Sequence, residues 1–461
     1  MSSLRFGTSG LRGLVSDLRG QPARRYTKAF LRHLSQTGQL QHQGTVLVAR
    51  DLRPSSPDIA ADSMAAIEAA GFEAVDCGAV PTPAMALEAL ARGAAAIMVT
   101  GSHIPADRNG LKFYTPTGEI TKTDEAGIAA ALDTAEVPDG ETAVADANAA
   151  VLDRYRQRCL SLLEQGALAG MRIGVFEHST VSRDLLAEVL GGLGAEIVRL
   201  GRTGQFVPVD TEAFGDAVFT PMAGWLAEHK LDVVVSADGD GDRPLLMDRT
   251  GAFVRGDVLG LLTAGFLGAR AVVTPVTSNS GIERTGYFGE VVRTRVGSPY
   301  VVAGMAGLDG AVGFEANGGT FVGDGVGNLP PLPTRDALTP LVAVLGLARQ
   351  QGTTVDQLVA ALPLQYALAD RLADVPPERS RAFLSRLASD PAFVASVFAQ
   401  HGLSGMNAVD GLQFRTGSGD MVHFRASGNA PELRCYVEGS TPTVAAELLD
   451  WAMRTAATAV R

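Results

Sequence analysis

Short apolar runs alternate with longer stretches of helical spacing through most of this chain. Thr45-Val46-Leu47-Val48-Ala49 predicts a buried strand and Ile59 to Ala70 a helix closed by Gly71. Ala94 to Val99 predicts the next strand, and Leu111-Lys112-Phe113-Tyr114 another, with Leu111 and Phe113 on one face and Lys112 and Tyr114 on the other. A helix follows Asp124 to about Leu132, and the polar stretch Pro138-Asp139-Gly140-Glu141-Thr142 predicts a linker. The pattern then restarts with a helix near Leu152–Leu163, strands at Met171–Phe176 and Ala195–Leu200, helices near Ser182–Leu190 and Gly215–His229, and a strand at Asp232–Ser236. A third round begins near Gly251, with helices near Val258–Leu267, Ile282–Phe288, Tyr300–Ala306 and Ala337–Arg349, and strands at Ala271–Thr274, Glu290–Val296 and Ala311–Phe314. From about Pro363 the rhythm changes to one or two helices, strands around Met421–Phe424 and Arg434–Val437, and a last helix over Val444–Thr455.

Strands that alternate with crossover helices predict α/β layers with parallel or mixed sheets. The first three rounds read as one plan repeated at roughly 100-residue spacing. The expected fold is therefore α/β, with three related mixed-sheet domains over 1–145, 146–250 and 251–362, and a smaller α+β domain over 363–461. The chain has 461 residues, too many for one core, with 46% apolar and 19% charged residues. Its 53 glycines exceed the ~32 of average usage, and the surplus lies largely in loops after apolar strands. A net charge of −11 with no basic stripe argues against a nucleic-acid partner. The three cysteines, Cys77, Cys159 and Cys435, are scattered and odd in number, which fits a reducing compartment and no thiolate metal site. Without a signal-like h-region or an apolar run approaching 18 residues, a cytoplasmic protein with no membrane partner is expected.

In each of the three rounds, the candidate chemistry falls just after a late apolar strand, where ligands bind in such sheets. The first loop, Thr100-Gly101-Ser102-His103-Ile104-Pro105, presents a serine and a histidine, with Lys112 on the next strand. The second, Asp238-Gly239-Asp240-Gly241-Asp242-Arg243, offers three alternating carboxylates that repel one another unless a cation neutralises them. Carboxylates are oxygen ligands, so a hard divalent metal is implied rather than zinc. A helix–loop–helix calcium loop is rejected, because it would want glycine at Arg243 and glutamate at Arg249 and would not follow a strand. An aspartate-nucleophile phosphatase is a further reading, for which the chain offers no partner residues. The third loop, Glu315-Ala316-Asn317-Gly318-Gly319, is either a tight turn or a carboxylate that binds neighbouring sugar hydroxyls. In the last unit, Arg425-Ala426-Ser427-Gly428-Asn429-Ala430-Pro431, with Arg434, has the composition of an anion nest.

These four segments, in this order, resemble the α-D-phosphohexomutase family of phosphomannomutases and phosphoglucomutases. Phe6-Gly7-Thr8-Ser9-Gly10-Leu11-Arg12-Gly13, Ala49-Arg50-Asp51-Leu52-Arg53-Pro54-Ser55-Ser56 and Val80-Pro81-Thr82-Pro83 extend the resemblance over essentially the whole chain. It implies four domains around a central cleft, and an isomerase that interconverts hexose 6-phosphate and hexose 1-phosphate through a phosphoserine and a hexose 1,6-bisphosphate. It implies that Ser102 is the phosphoserine, with Asp238, Asp240 and Asp242 joining its phosphate to bind one Mg²⁺. Arg12, His103, Lys112 and Arg243 would serve the catalytic centre, with Lys112 a candidate general acid/base. Glu315 and Asn317 would contact the sugar; Arg425, Ser427, Gly428, Asn429 and Arg434 would hold the phosphate that is not transferred.

Three loops depart from the family pattern: Ile104-Pro105 replaces Asn-Pro, Asn317-Gly318-Gly319 replaces a run such as Ser-Gly-His, and Asn429-Ala430 replaces Thr-Glu. The expected substrate is mannose phosphate, with glucose or glucosamine phosphate as runners-up. A non-catalytic sugar-phosphate binding protein would not need Ser102 or Lys112. Glucose and mannose differ only at C2, which a carboxylate reaching O3 and O4 would not sense. Oligomeric state is not legible, and a monomer is the preferred reading.

Overall fold

Apolar, β-branched runs bounded by turns fold into four sheets among the residues described by the computed structural model, which are 2–7, 10–41, 43–138, 145–427 and 431–460. The predicted linker residues Asp139–Thr142 lie outside that set, as do Thr8, Ser9, Gly428 and Asn429.

The first sheet runs in the order Arg5–Phe6, Leu11–Leu14, Arg108–Thr115, Ala95–Val99, Thr45–Arg50, Glu73–Ala79, Ala145–Asp146. Ala95–Val99, Thr45–Arg50, Glu73–Ala79 and Ala145–Asp146 are parallel, whereas Arg108–Thr115 returns antiparallel to Ala95–Val99. The second sheet repeats this plan: Glu196–Leu200, Arg172–Phe176 and Val233–Ala237 are parallel, and Pro244–Asp248 folds back antiparallel on Val233–Ala237. The third repeats it again, with Ala271–Pro275 parallel to Ala311–Phe314, then Thr320–Val322 and Leu332–Asp336 antiparallel. Thus the three chemistry-bearing loops occupy one topological position, the turn between a buried parallel strand and its antiparallel return.

The fourth sheet is wholly antiparallel, ordered Tyr366–Leu372, Leu433–Gly439, Met421–Ala426, Leu412–Arg415, Gly405–Asn407. The helix Pro442–Ala459 packs its Leu448, Ala452 and Ala456 into that sheet's core, beside Phe383 of the helix Pro377–Ser389. Packing divides the chain into two compact units, Met1–Val273 with Gly297–Ala361, and Thr274–Val296 with Leu362–Arg461.

The first unit's N-terminal core is set by Phe30 and Phe113, whose ring centroids lie 4.7 Å apart, with Val46, Val48, Ile97 and Val99 from the sheet. Each such side chain fully removed from water contributes about 1.5–3 kcal/mol. All three cysteines are buried and unpaired. Among the described residues, no helix is long and apolar enough to cross a membrane.

Candidate active site

The serine loop starts where the fully buried strand Ala95–Val99 ends. Ser102 adopts a left-handed φ of 53°, which costs a non-glycine residue about 1–2 kcal/mol. Thr100 Oγ1 accepts the Ser102 N–H at 2.7 Å. The Ser102 hydroxyl donates to Asp238 Oδ2 at 2.6 Å and lies 3.2 Å from His103 Nδ1. Ser102 is only 1% exposed, so this hydroxyl sits inside the protein rather than on a free turn.

The aspartate loop organises itself around its first carboxylate. Asp238 Oδ1 accepts the backbone N–H groups of Asp242 and Arg243, both at 3.1 Å. Asp240 Oδ2 accepts from Thr82 Oγ1 at 2.7 Å and from Lys112 Nζ at 2.6 Å, and Asp242 Oδ2 accepts from Lys112 Nζ at 2.6 Å. Gly239 is needed for the approach of the two loops, since a Cβ there would stand 2.7 Å from the Ser102 carbonyl oxygen. Among the described residues, Asp240 Oδ1 and Asp242 Oδ1 are buried without a hydrogen-bond partner. Arg243 Nε is the near cation, at 3.8 Å from Asp242 Oδ1 and 4.0 Å from Asp238 Oδ2.

One oxygen from each of the three aspartates lies within 4.8 Å of the others. Buried polar atoms left unfilled call for a partner, and an all-oxygen donor set suits a hard divalent cation. These residues therefore fit a metal.

The electrostatics of the cluster follow from its density of charge. Burial, then the neighbouring carboxylates of Asp240 and Asp242, raise the Asp238 pKa well above the usual range. Burial opposes ionisation of Asp240 too, but the Lys112 ammonium outweighs it and lowers the Asp240 pKa. For Lys112, burial works against the charge and the carboxylates of Asp240 and Asp242 overcome it, raising the pKa. The Arg243 charge, with burial, pushes the His103 imidazole far below its ordinary range, so it is neutral. Burial, then the Arg243 charge, lowers Arg12 to about 10.

The third loop is held from beneath. Arg335 Nε donates to Glu315 Oε2 at 2.6 Å, and both side chains are buried. Burial disfavours the Arg335 charge and Glu315 more than offsets it, so the guanidinium is held firmly cationic. Asn317 Oδ1 accepts the Gly319 N–H at 2.9 Å, and the Asn317 carbonyl accepts from Thr211 Oγ1 at 3.0 Å. Asn317 thus shapes its own turn.

Within the second unit, Arg425 Nε donates to Asp410 Oδ2 at 2.7 Å, and Asp410 Oδ2 also accepts the Val296 N–H at 3.0 Å. Arg434 donates through Nε and Nη2 to Glu432 Oε2, both at 3.3 Å. Arg425 and Arg434 are direct cross-strand partners, and Arg434 is paired on its other side with Arg371. Three arginines in one row repel one another, and Glu432, 3.3 Å from Arg371 Nη1, lies against two of them. The Ser427 N–H donates to Glu432 O at 3.0 Å.

Family models described as "Phosphoglucomutase/phosphomannomutase, alpha/beta/alpha domain I" and "alpha/beta/alpha domain III" match residues 3–138 and 255–366. A phosphomannomutase of Sinorhizobium fredii is 47% identical over 96% of this chain and 97% of its own. The chain belongs to the α-D-phosphohexomutase family. A phosphomannomutase of Salmonella muenchen is 40% identical over 97% of this chain and 95% of its own. A crystal structure of a phosphoglucomutase/phosphomannomutase family protein from Burkholderia thailandensis shares the fold at a TM-score of 0.79 and 22% identity, covering 98% of this chain and 97% of that one.

In this phosphohexomutase the structure brings Ser102, His103, Lys112, Asp238, Asp240, Asp242 and Arg243 together in one buried cluster. Arg12, whose pKa responds to Arg243, Asp240 and Arg335, lies in the same field. Three participants were missed from the sequence. Thr82 opens the helix Thr82–Arg92 and fixes Asp240 through both its hydroxyl and its N–H, the latter on Asp240 O at 2.9 Å. Arg335 is the penultimate residue of the short strand Leu332–Asp336, which the apolar pattern does not mark. Arg53 lies in a quoted family-like segment, yet nothing local shows that it reaches the serine loop.

Proposed function

We propose that this phosphohexomutase interconverts mannose 6-phosphate and mannose 1-phosphate through a phosphorylated Ser102 and mannose 1,6-bisphosphate. The observation that carries the chemistry is the buried Ser102 hydroxyl on Asp238, beside carboxylate oxygens left without partners. Support for the sugar comes from the two phosphomannomutase relatives that align along nearly the whole chain. The four chemistry-bearing segments are assigned to domains 1–145, 146–250, 251–362 and 363–461.

Asp238, Asp240 and Asp242 would hold Mg²⁺ with the Ser102 phosphate, and the bound ion would neutralise phosphoryl charge. Arg12 and Arg243 add fixed positive charge around the transferring group. Neutral His103, 3.2 Å from Ser102 Oγ, would help to hold the serine side chain rather than take its proton, because the nearby Arg243 charge disfavours the protonated imidazole. Lys112 is the candidate to exchange a proton with the sugar hydroxyl. Glu315, held by Arg335, and Asn317 would face the sugar, and Arg425, Ser427, Gly428, Asn429 and Arg434 would retain the other phosphate. Because the bisphosphate gives either phosphate back to Ser102, the reaction is an isomerisation without net hydrolysis.

The test sets kcat/KM for mannose, glucose and glucosamine 1-phosphates side by side, with peptide mapping of the phosphorylated enzyme. Mannose 1-phosphate is expected to lead, and the phosphate to map to Ser102. A leading glucose or glucosamine substrate would overturn the sugar assignment, and phosphate on another residue of active enzyme would overturn the nucleophile.

A further inference from the structure

Arg53 is a buried guanidinium whose five N–H donors are all used, and four of them point at one loop. Nη2 donates to Ser102 O at 2.9 Å and Ile104 O at 2.6 Å, while Nη1 donates to Pro105 O at 2.7 Å and Arg108 O at 3.1 Å. The fifth donor, Nε, binds Asp51 Oδ2 at 3.0 Å. Asp51 is itself fixed, since its two oxygens also accept from Ser56 Oγ at 2.5 Å, Thr100 Oγ1 at 2.8 Å and the Arg53 N–H at 3.0 Å. The Phe206 ring covers the guanidinium, with Arg53 Cζ 4.0 Å from the ring centroid. Gly101 leaves room for this plane, because a Cβ there would stand 2.7 Å from Arg53 Cζ.

Solvated arginines do not saturate their donors on backbone carbonyls of a single turn. Here the planar fork spans the loop from the nucleophile to the start of the return strand, which a lysine point charge cannot do. The carbonyl it takes from Ser102 belongs to a residue with left-handed backbone, a conformation that needs outside support. Phe206 comes from the segment after the strand Glu196–Leu200 and also stands beside the aspartate loop, where a Cβ on Gly239 would meet its ring at 3.2 Å. The cover of the fork therefore lies against Arg53 on one side and beside the aspartate loop on the other.

We propose that Arg53, carried by Asp51 and covered by Phe206, is a positioning residue that fixes the serine loop and so directs the phosphoserine to sugar rather than to water. It touches neither substrate nor the reacting atoms and acts through the Ser102 backbone. The inference rests on Ser102 being the phosphorylated residue. In the competing hydrolysis a water oxygen bonds to phosphorus as the Ser102 Oγ–P bond breaks, and the serine oxygen takes up the proton that the water loses. A loosely held loop lowers the rate of in-line transfer and lengthens the exposure of the phosphoserine to water.

The experiment uses full-length enzyme carrying Arg53→Lys, which keeps the charge and loses the fork, and Phe206→Leu, which keeps every hydrogen bond and loses the cover. Mutase kcat and KM, inorganic phosphate released per isomerisation, and the half-life of the phosphoenzyme by intact mass are measured for each. For Arg53→Lys, kcat should fall about 100-fold with KM within roughly threefold of the parent, as expected for a misplaced reacting group. Phosphate released per turnover should rise by more than the roughly 100-fold fall in kcat, so that the phosphoenzyme half-life also shortens. Phe206→Leu should move the same ratios in the same direction by a smaller factor, and it decides the matter if Arg53→Lys does not fold. Parent-like phosphate release per turnover in the folded variants would overturn the proposal, even if kcat fell, because lost stability alone does not redirect phosphate to water. Phosphate mapped elsewhere than Ser102 in the parent would instead defeat the nucleophile assignment, a distinct result read before any variant is made.

Discussion

Lys112 is the residue on which the cluster's charge balance turns. Its Nζ lies 2.6 Å from carboxylate oxygens of both Asp240 and Asp242, and it is 5% exposed. Removing one partner of a buried ion pair leaves the other uncompensated, which costs about 3–5 kcal/mol. Lys112→Met should therefore lower the melting temperature sharply in EDTA. Added Mg²⁺ should recover more stability in this variant than in the parent, because a bound divalent cation supplies the missing positive charge. Mutase activity in the parent should vanish in EDTA and return with Mg²⁺. Equal melting temperatures in EDTA for parent and variant would contradict the charge balance drawn here. The sequence made Lys112 and the aspartates visible as neighbours of striking loops, although a lysine on a strand is ordinarily solvated. It could not show Arg53 or Thr82 reaching their targets, 49 and 158 residues away along the chain. Those roles arise from tertiary placement, and no local spacing encodes them.

At the scale of elements, the apolar strands Thr45–Arg50, Ala95–Val99 and Ala311–Phe314 were legible because buried strands read as continuous apolar runs. The returns Pro244–Asp248 and Thr320–Val322 were not, since each starts directly behind a polar turn that draws attention away from it. The helix Gln21–Gln36 was also missed, although Ala23, Thr27, Phe30, Leu31 and Leu34 recur at helical spacing on its buried face and Arg24, Arg25, Lys28 and Arg32 line the other. That helix is tied to Lys122–Ala131 through a capping residue. Asp124 is the N3 partner of Thr121 in a capping box, and it accepts from His33 Nε2 at 2.9 Å and, in the chain beyond the helix, from Gln39 Nε2 at 3.1 Å. Burial alone would raise the Asp124 pKa; hydrogen bonds from Thr121, His33 and Gln39 outweigh it and lower it to about 2 from an ordinary 3.8. A folded-state pKa below the unfolded value stabilises the fold above the unfolded pKa, and that contribution, about 2 kcal/mol, disappears as the pH falls toward the folded value. Asp124→Asn should thus cost about 1–2 kcal/mol at pH 7, with the gap to the parent shrinking between about pH 4 and pH 2. Urea midpoints for parent and variant at pH 7, 4 and 3 measure it, and a gap that does not change with pH would show that the carboxylate charge contributes nothing.

For the whole molecule, the threefold repeat of apolar strand and chemical loop was readable, because each round carries its own apolar strands and its own chemical turn, whereas two of the three antiparallel returns were not. The division by packing was not readable. Residues Thr274–Val296 lie inside the third round in sequence yet belong to the compact unit of the C-terminal sheet. There Ser280 N donates to Glu438 Oε1 at 2.9 Å and Gln413 Nε2 to Val276 O at 3.1 Å, contacts between segments more than 130 residues apart. The metal loop and the arginine row consequently belong to different compact units, and their energetic contributions should separate. Arg425 is half-buried and already oriented by Asp410, so it is held in place before any phosphate arrives. Arg425→Ala should raise KM for hexose phosphate by about 10–100-fold, the loss of a charge-assisted contact of about 1.5–3 kcal/mol. It should also lower kcat, because binding energy from the phosphate that does not react helps to hold the reacting end in register. Mg²⁺ affinity, measured by titration of the metal-free enzyme, should stay within about twofold of the parent, since no ligand of that site has changed. An Arg425→Ala enzyme that kept the parent KM and kcat would remove Arg425 from substrate recognition. The cross-strand row of Arg371, Arg434 and Arg425 would then need a different anion to account for three cations set side by side.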